Sequence, residues 1–198
     1  MSRLGAHLLS ISRTILSAAL VLLLAASVHA QSAAKNAYDL DGHPFDPFRA
    51  APGKTVVLLF IRTDCPISNR YAPAIQELST VNSAHAAFFL VYPTPSESAQ
   101  QIRKHLRDFK YKIPALRDPE LALVRESRVT ITPEAAVFSA DRRLLYRGRI
   151  DNWYVDFGRA RPAPTTHELA DAVAAASSGT PIANAAVPAV GCFIPGVS

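Results

Sequence analysis

Residues 55–73 read TVVLLFIRTDCPISNRYAP. The first seven, Thr55 to Ile61, are β-branched or large apolar residues without alternation. That pattern predicts a strand buried on both faces. Cys65 then meets Pro66. Proline suits the first position of a helix, where an N–H would have no partner. Ile67, Tyr71, Ala74 and Leu78 recur at helical spacing, so a helix is expected to open at Cys65. Unpaired backbone N–H groups and the positive end of the helix dipole at such a point favour thiolate over thiol. Arg62 and Arg70 add positive charge nearby, and Asp64 opposes it.

Outward from this stretch, strand and helix patterns alternate. Ala86 to Tyr92 (AAFFLVY) predicts a second buried strand. The helical crossover makes it parallel to the first. Thr94-Pro95-Ser96-Glu97 predicts a helix start, with Thr94 as N-cap, Pro95 at the first position and Glu97 completing a capping box. Ala99, Ile102, Leu106 and Phe109 then form an apolar stripe. Asp118-Pro119 opens a short helix that turns Leu121 and Val124 inward. Thr132-Pro133 precedes an expected strand from Glu134 to Phe138, a turn at Ala140-Asp141-Arg142, and a partner strand from Leu144 to Arg149. The pair reads as an antiparallel hairpin. Thr165-Thr166-His167-Glu168 caps a last, alanine-rich helix that ends near Gly179. Upstream, Ala33 to Arg49 is polar and turn-rich, with a tight turn at Leu40-Asp41-Gly42 and Phe45 and Phe48 as anchors. This order predicts a single-domain α/β sandwich with a mixed central sheet.

The chain has 198 residues, of which 49% are hydrophobic and 19% charged, a globular composition long enough to bury a core without disulfide staples. Two cysteines exclude a disulfide scaffold and a zinc site made of cysteines alone. His43, His85, His105 and His167 lack metal-ligand spacing, so no metal and no cofactor is expected. His105 is expected on the solvated face of its helix. Arg142, Arg143, Arg147, Arg149, Arg159 and Arg161 read as a solvated surface, and Trp153, Tyr154 and Phe157 as an aromatic cover for the sheet edge.

Residues 1–30 read as a secretory signal: Arg3 and Arg13, then an apolar run of twelve from Ile15 to Ala26 broken only by Ser17, then Val28-His29-Ala30 as a cleavage site. The run is shorter than the ~20 residues a spanning helix needs, so no stable membrane span is expected after processing. The formal charge of +5 falls to +3 without Arg3 and Arg13, too little to argue for nucleic acid. The expected organisation is a signal (1–30), a domain (31–179) and an exposed Pro/Ala/Val-rich tail (180–198) carrying Cys192. The expected location is periplasmic or secreted, where thiols pair.

The order of these features resembles the thioredoxin fold in its redoxin branch, the peroxiredoxin-like and thiol-disulfide oxidoreductase-like proteins. The resemblance spans roughly residues 38–178. It rests on the strand that delivers Cys65 to a helix, Pro73 eight residues later, Thr132-Pro133 before the hairpin, and the opening Tyr38-Asp-Leu-Asp-Gly-His43. It implies a cis bond at Pro133, with the Thr132 backbone held open beside Cys65 for an incoming peptide. Three departures stand out. The second cysteine of a CxxC pair is replaced, giving Cys65-Pro66-Ile67-Ser68. The place of a peroxiredoxin threonine, three residues before the cysteine, holds Arg62. The second cysteine of copper-delivery relatives is Asn69.

Three functions fit. Cys65 thiolate attacks a protein or small-molecule disulfide, and Cys192 or an external thiol reductant resolves the product. Alternatively it attacks a peroxide, forms a sulfenic acid and is resolved the same way. In the third, the fold is a binding module without catalysis. The missing threonine favours disulfide exchange. Exchange needs a second sulfur, and Cys192 in Gly191-Cys192-Phe193-Ile194-Pro195 is the candidate within the chain. Ser68 cannot resolve a mixed disulfide, but its hydroxyl can hydrogen-bond a thiolate. Ser68, Thr132 and Pro133 are therefore the expected substrate-side residues.

Overall fold

A computed structural model describes residues 37–197 of the chain; the expected signal at 1–30 lies outside them. The chain begins with β1 (Ala37–Tyr38), β2 (Pro44–Phe45) and the short helix α1 (Pro47–Ala50). The central unit follows: β3 (Thr55–Phe60), α2 (Pro66–Arg70), α3 (Ala72–Val81), β4 (Ala86–Tyr92), α4 (Ala99–Asp108) and β5 (Ala115–Arg117). Then come α5 (Ala122–Ser127), β6 (Ile131–Thr132), β7 (Glu134–Phe138) and β8 (Leu144–Gly148). The chain closes with β9 (Tyr154–Asp156), β10 (Arg159–Ala160), α6 (Glu168–Ser178), β11 (Ala186–Val187) and β12 (Cys192–Phe193).

The main sheet runs β11-β8-β7-β3-β4-β5-β1-β2. β3, β4 and β5 are parallel, while β7 lies antiparallel to β3 and β8 antiparallel to β7. This is the expected mixed sheet with its hairpin. Successive strand side chains point to opposite faces, and β3 shows why its sequence does not alternate. Val57 and Leu59 enter one core with Tyr71, Ile75, Ile102, Leu169 and Val173. Val56, Leu58 and Phe60 enter the other with Leu116, Leu123, Val124 and Phe138. Helices α2, α3, α4 and α6 therefore cover one face, and α1 and α5 the other.

Several local expectations shift. The helix after Cys65 is broken at Tyr71, and Pro73 stands at the start of its second half. Ile67, Tyr71, Ala72, Ile75 and Ser79 are buried, and the expected Ala74 and Leu78 are partly buried and pack against the same core. Helix α4 starts later than expected: Ser98 is its N-cap and Gln101 closes the capping box, so Thr94 and Glu97 do not cap it. Helix α5 begins at Ala122, but the Asp118 carboxylate still serves it, accepting from the N–H groups of Ala122 and Val124. At α6 the N-cap is His167, without a side-chain cap bond. His105 is buried rather than solvated.

The C-terminal segment does not hang free. β11 adds a parallel strand to β8, and β12 pairs antiparallel with β6. Two-residue strands carry no periodicity, which is why the sequence reads as a tail. Ile194 is its buried anchor, whereas Phe193 is 80% exposed. Among the described residues, no helix is long and apolar enough to cross a membrane.

Candidate functional site

Cys65 lies just beyond the C-terminal end of β3, at the centre of the sheet, and forms the N-cap of α2 with an extended backbone. Pro66 follows at the first helical position. The register of β7 on β3 pairs Glu134 with Phe60. The loop before β7 is thereby carried alongside the cysteine. The Thr132–Pro133 bond in that loop is cis, as the resemblance implies. Cys65 Sγ donates to the Thr132 carbonyl oxygen at 3.2 Å.

The backbone of Thr132 is not open to an incoming peptide. β12 occupies that edge, with Cys192 opposite Thr132 and Phe193 opposite Ile131. The Thr132 hydroxyl donates to the Cys192 carbonyl at 3.4 Å, and the Ile194 N–H donates to the Thr130 carbonyl at 3.0 Å. Arg62 clips the same strand from the other side: Nη1 donates to the Phe193 carbonyl at 3.2 Å and Nη2 to Asp64 at 2.8 Å. Gly191 lies so near the loop that a Cβ there would meet the Thr132 carbonyl oxygen at 2.1 Å. The result is that Cys192 Sγ stands 2.8 Å from Cys65 Sγ, both as free thiols. Two sulfurs 127 positions apart in the chain share one site.

The two thiols differ in character. Cys65 is only 1% exposed. Burial opposes its ionisation most strongly, but hydrogen bonds from Cys192, from the Ser68 side chain and backbone and from Thr132 outweigh it, and its pKa lies below the ordinary value. Cys192 goes the other way: burial, the hydrogen bond to Cys65 and the nearby Cys65 charge push it up to about 12. One proton shared between close sulfurs produces this split, so the pair titrates as a unit. The Ser68 hydroxyl is fully buried and makes no other hydrogen bond. A Cys65 thiolate is a stronger acceptor for it than a thiol, so the hydroxyl favours the ionised state.

A buried polar network that the sequence does not advertise holds the loop beneath Cys65. Glu97 Oε1 accepts from the Thr63 N–H at 2.6 Å. Asn69 Nδ2 donates to the Thr63 carbonyl at 3.1 Å, which leaves Asn69 Oδ1 as the acceptor for His105 Nε2 at 2.7 Å. Nε2 therefore carries the ring proton, and Nδ1 accepts from the Tyr92 hydroxyl at 2.8 Å. Burial holds His105 below its ordinary pKa, in keeping with a neutral ring. On the other flank, Tyr71 donates to Asp151 at 2.6 Å and packs edge-on against Trp153, over which Arg70 stacks. Trp153 and Tyr154 thus cover the helix that carries the site, while Phe157 is exposed. Among the described residues, no group of three His, Cys, Asp or Glu side chains could hold a metal ion.

No protein-family model matches the chain, and no curated protein does. Solved structures do. An uncharacterised conserved protein from Geobacillus kaustophilus shares 20% identity at a TM-score of 0.70, over 82% of this chain and 89% of that one. A hypothetical protein from Sinorhizobium meliloti 1021 shares 21% identity at a TM-score of 0.67, over 82% of this chain and 91% of that one. A secreted Mycobacterium tuberculosis disulfide oxidoreductase homologous to E. coli DsbE shares 19% identity at a TM-score of 0.50, over 73% of this chain and 94% of that one. Likeness at such identities is one of fold: the chain has the thioredoxin fold, as its strand–cysteine–helix unit and cis-proline loop imply.

Proposed function

We propose that the protein is an exported thiol-disulfide oxidoreductase in which Cys65 is the nucleophile and Cys192 the resolving thiol. The observation that carries this reading is the 2.8 Å approach of the two sulfurs across a strand pair built to hold it. Cys65 thiolate attacks a substrate disulfide; a new S–S bond forms to Cys65, and the substrate's other sulfur leaves as thiolate. Cys192 then attacks the Cys65 sulfur. Its proton is lost, the Cys65–Cys192 bond forms, and the second substrate sulfur departs reduced. The protein is oxidised by two electrons, and a thiol reductant resets it.

Ser68 and Thr132 stabilise the thiolate in this scheme, and Pro133 shapes the loop that brings Thr132 to it. Substrate reaches Cys65 only when β12 lifts from β6, because tail and substrate compete for one strand edge. Export rests on residues 1–30 and on the company of a secreted structural neighbour. Mass spectrometry of the protein from its host is expected to find Gln31 as the first residue.

The deciding experiment combines mapping and turnover. Non-reducing peptide mapping of the oxidised protein is expected to show a Cys65–Cys192 bond within one chain. Thiol-driven reduction of a protein disulfide such as that of insulin is expected to vanish in Cys65→Ser. Turnover of hydrogen peroxide in place of the disulfide substrate, or Cys192 left free beside an oxidised Cys65, would overturn the reading.

A further inference from the structure

We infer that an external thiol enters the oxidised pair at Cys192 and not at Cys65, so that the mixed disulfide of the reset step is carried on the C-terminal segment. This rests on the Cys65–Cys192 bond proposed above.

Thiol–disulfide exchange is an in-line displacement, in which the attacking sulfur, the sulfur attacked and the leaving sulfur fall on one line. The two ends of the pair offer very different approaches along that line. Cys65 is enclosed by the protein. That sulfur is 1% exposed, with the Thr132 carbonyl and the fully buried Ser68 against it. Cys192 is the more open sulfur, on a two-residue strand at the surface. Its neighbour Phe193 is exposed and gives a thiol-bearing partner an apolar handhold beside the sulfur.

Departure favours the same direction. When Cys192 is attacked, the electron pair leaves on Cys65, where Ser68 and Thr132 receive the charge. When Cys65 is attacked, it leaves on Cys192, whose thiolate is the less stable of the two. The lower-pKa sulfur leaves faster.

The thiolate RS⁻ bonds to Cys192 Sγ, the Cys192–Cys65 bond breaks, and Cys65 becomes a thiolate. A second thiolate then attacks the RS sulfur, giving RSSR and Cys192, which takes up a proton. Two thiols are oxidised and one protein disulfide is reduced. The protein thus has two ports: substrate disulfides are met by Cys65 once the strand lifts, and reductant is met by Cys192.

Reduced glutathione is the probe. The oxidised full chain is mapped first; absence of the intramolecular bond there would sink the proposed function itself. With the bond present, limiting glutathione is added with iodoacetamide, and the products are mapped. The expected product carries glutathione on Cys192 and the alkyl group on Cys65, in excess over the reverse product by about tenfold or more, since access and leaving group act together. The reverse product in excess would overturn this inference and leave the proposed function standing. If neither adduct accumulates, the rate at which glutathione reduces the oxidised chain is compared in the parent and in Ser68→Ala. A slower Ser68→Ala supports entry at Cys192, because the electron pair then leaves on Cys65, and an unchanged or faster rate overturns it.

Discussion

Replacing Gly191 by alanine adds one carbon at the point where the C-terminal strand crosses the cis-proline loop. That carbon would stand 2.1 Å from the Thr132 carbonyl oxygen, 2.7 Å from its carbon and 3.1 Å from the Pro133 nitrogen. All three are backbone atoms and cannot rotate aside. An ordinary carbon–oxygen contact lies near ~3.3 Å, so the strand must retreat by about 1 Å. The sulfur pair, one residue on, opens with it. Overpacking of this kind costs ~1–3 kcal/mol, and here the cost falls on the docked form alone. At ~1.4 kcal/mol per factor of ten, docking becomes roughly 5- to 150-fold less favourable. The Cys65–Cys192 bond should therefore be reduced at correspondingly lower glutathione in a redox equilibration read by alkylation and mass spectrometry. Thermal unfolding of the reduced protein serves as control: the protein should stay folded and lose at most the contribution of the C-terminal segment, whose Val190, Cys192 and Ile194 reach the two cores. An equilibrium within twofold of the parent, with folding intact, would show that the strand contact does not control the pair.

Ser68→Ala should raise the Cys65 pKa, because the hydroxyl bonds the thiolate more strongly than the thiol; a hydrogen bond to a charged group is worth ~1.5–3 kcal/mol, or at most roughly 1–2 pK units. The thiolate's ultraviolet absorbance against pH in a Cys192→Ala background reads this directly, and an unmoved titration would remove Ser68 from the site. His105 should make stability fall in mild acid. Its folded pKa lies below the unfolded value of ~6.5, so the unfolded chain takes up the proton first. Stability from this group is complete above ~6.5 and declines below it by at most ~1.4 kcal/mol per pH unit. Urea midpoints measured from pH 7 to 5 should show the decline in the parent and lose that component in His105→Gln.

How much of this the sequence reveals depends on how local each cause is. β3 and the Cys65–Pro66 junction are legible because burial on two faces and helix entry are written in adjacent residues. The capping of α4 is not, because two capping patterns overlap: Thr94 with Glu97, and Ser98 with Gln101. Local chemistry cannot choose between them. The choice falls to the Thr63 N–H, a distant donor that only Glu97 reaches. His105 misreads for the same reason. Its polarity suggests solvent, but Tyr92 and Asn69, supplied by other elements, satisfy both ring nitrogens in the interior. The meeting of Cys192 with Thr132 joins two-residue strands 60 positions apart, below the length at which a period can show. The available hint is the glycine before Cys192, a residue that lets backbones approach closely.

The pairing of β11 with β8 sets a leash on the reactive arm. Val187 is held in the main sheet, and Cys192 follows five residues later. Fully extended, five residues reach ~17 Å. Once released from β6, Cys192 therefore sweeps a small sphere around the sheet edge and returns to Cys65 from nearby. A tether this short keeps the local thiol concentration in the millimolar range or above, independent of how dilute the protein is. The arm cannot fetch a distant partner. Any thiol or disulfide that trades electrons with it must bring its own sulfur inside that radius, which makes partner shape near Val187 a determinant of exchange rate as much as partner potential.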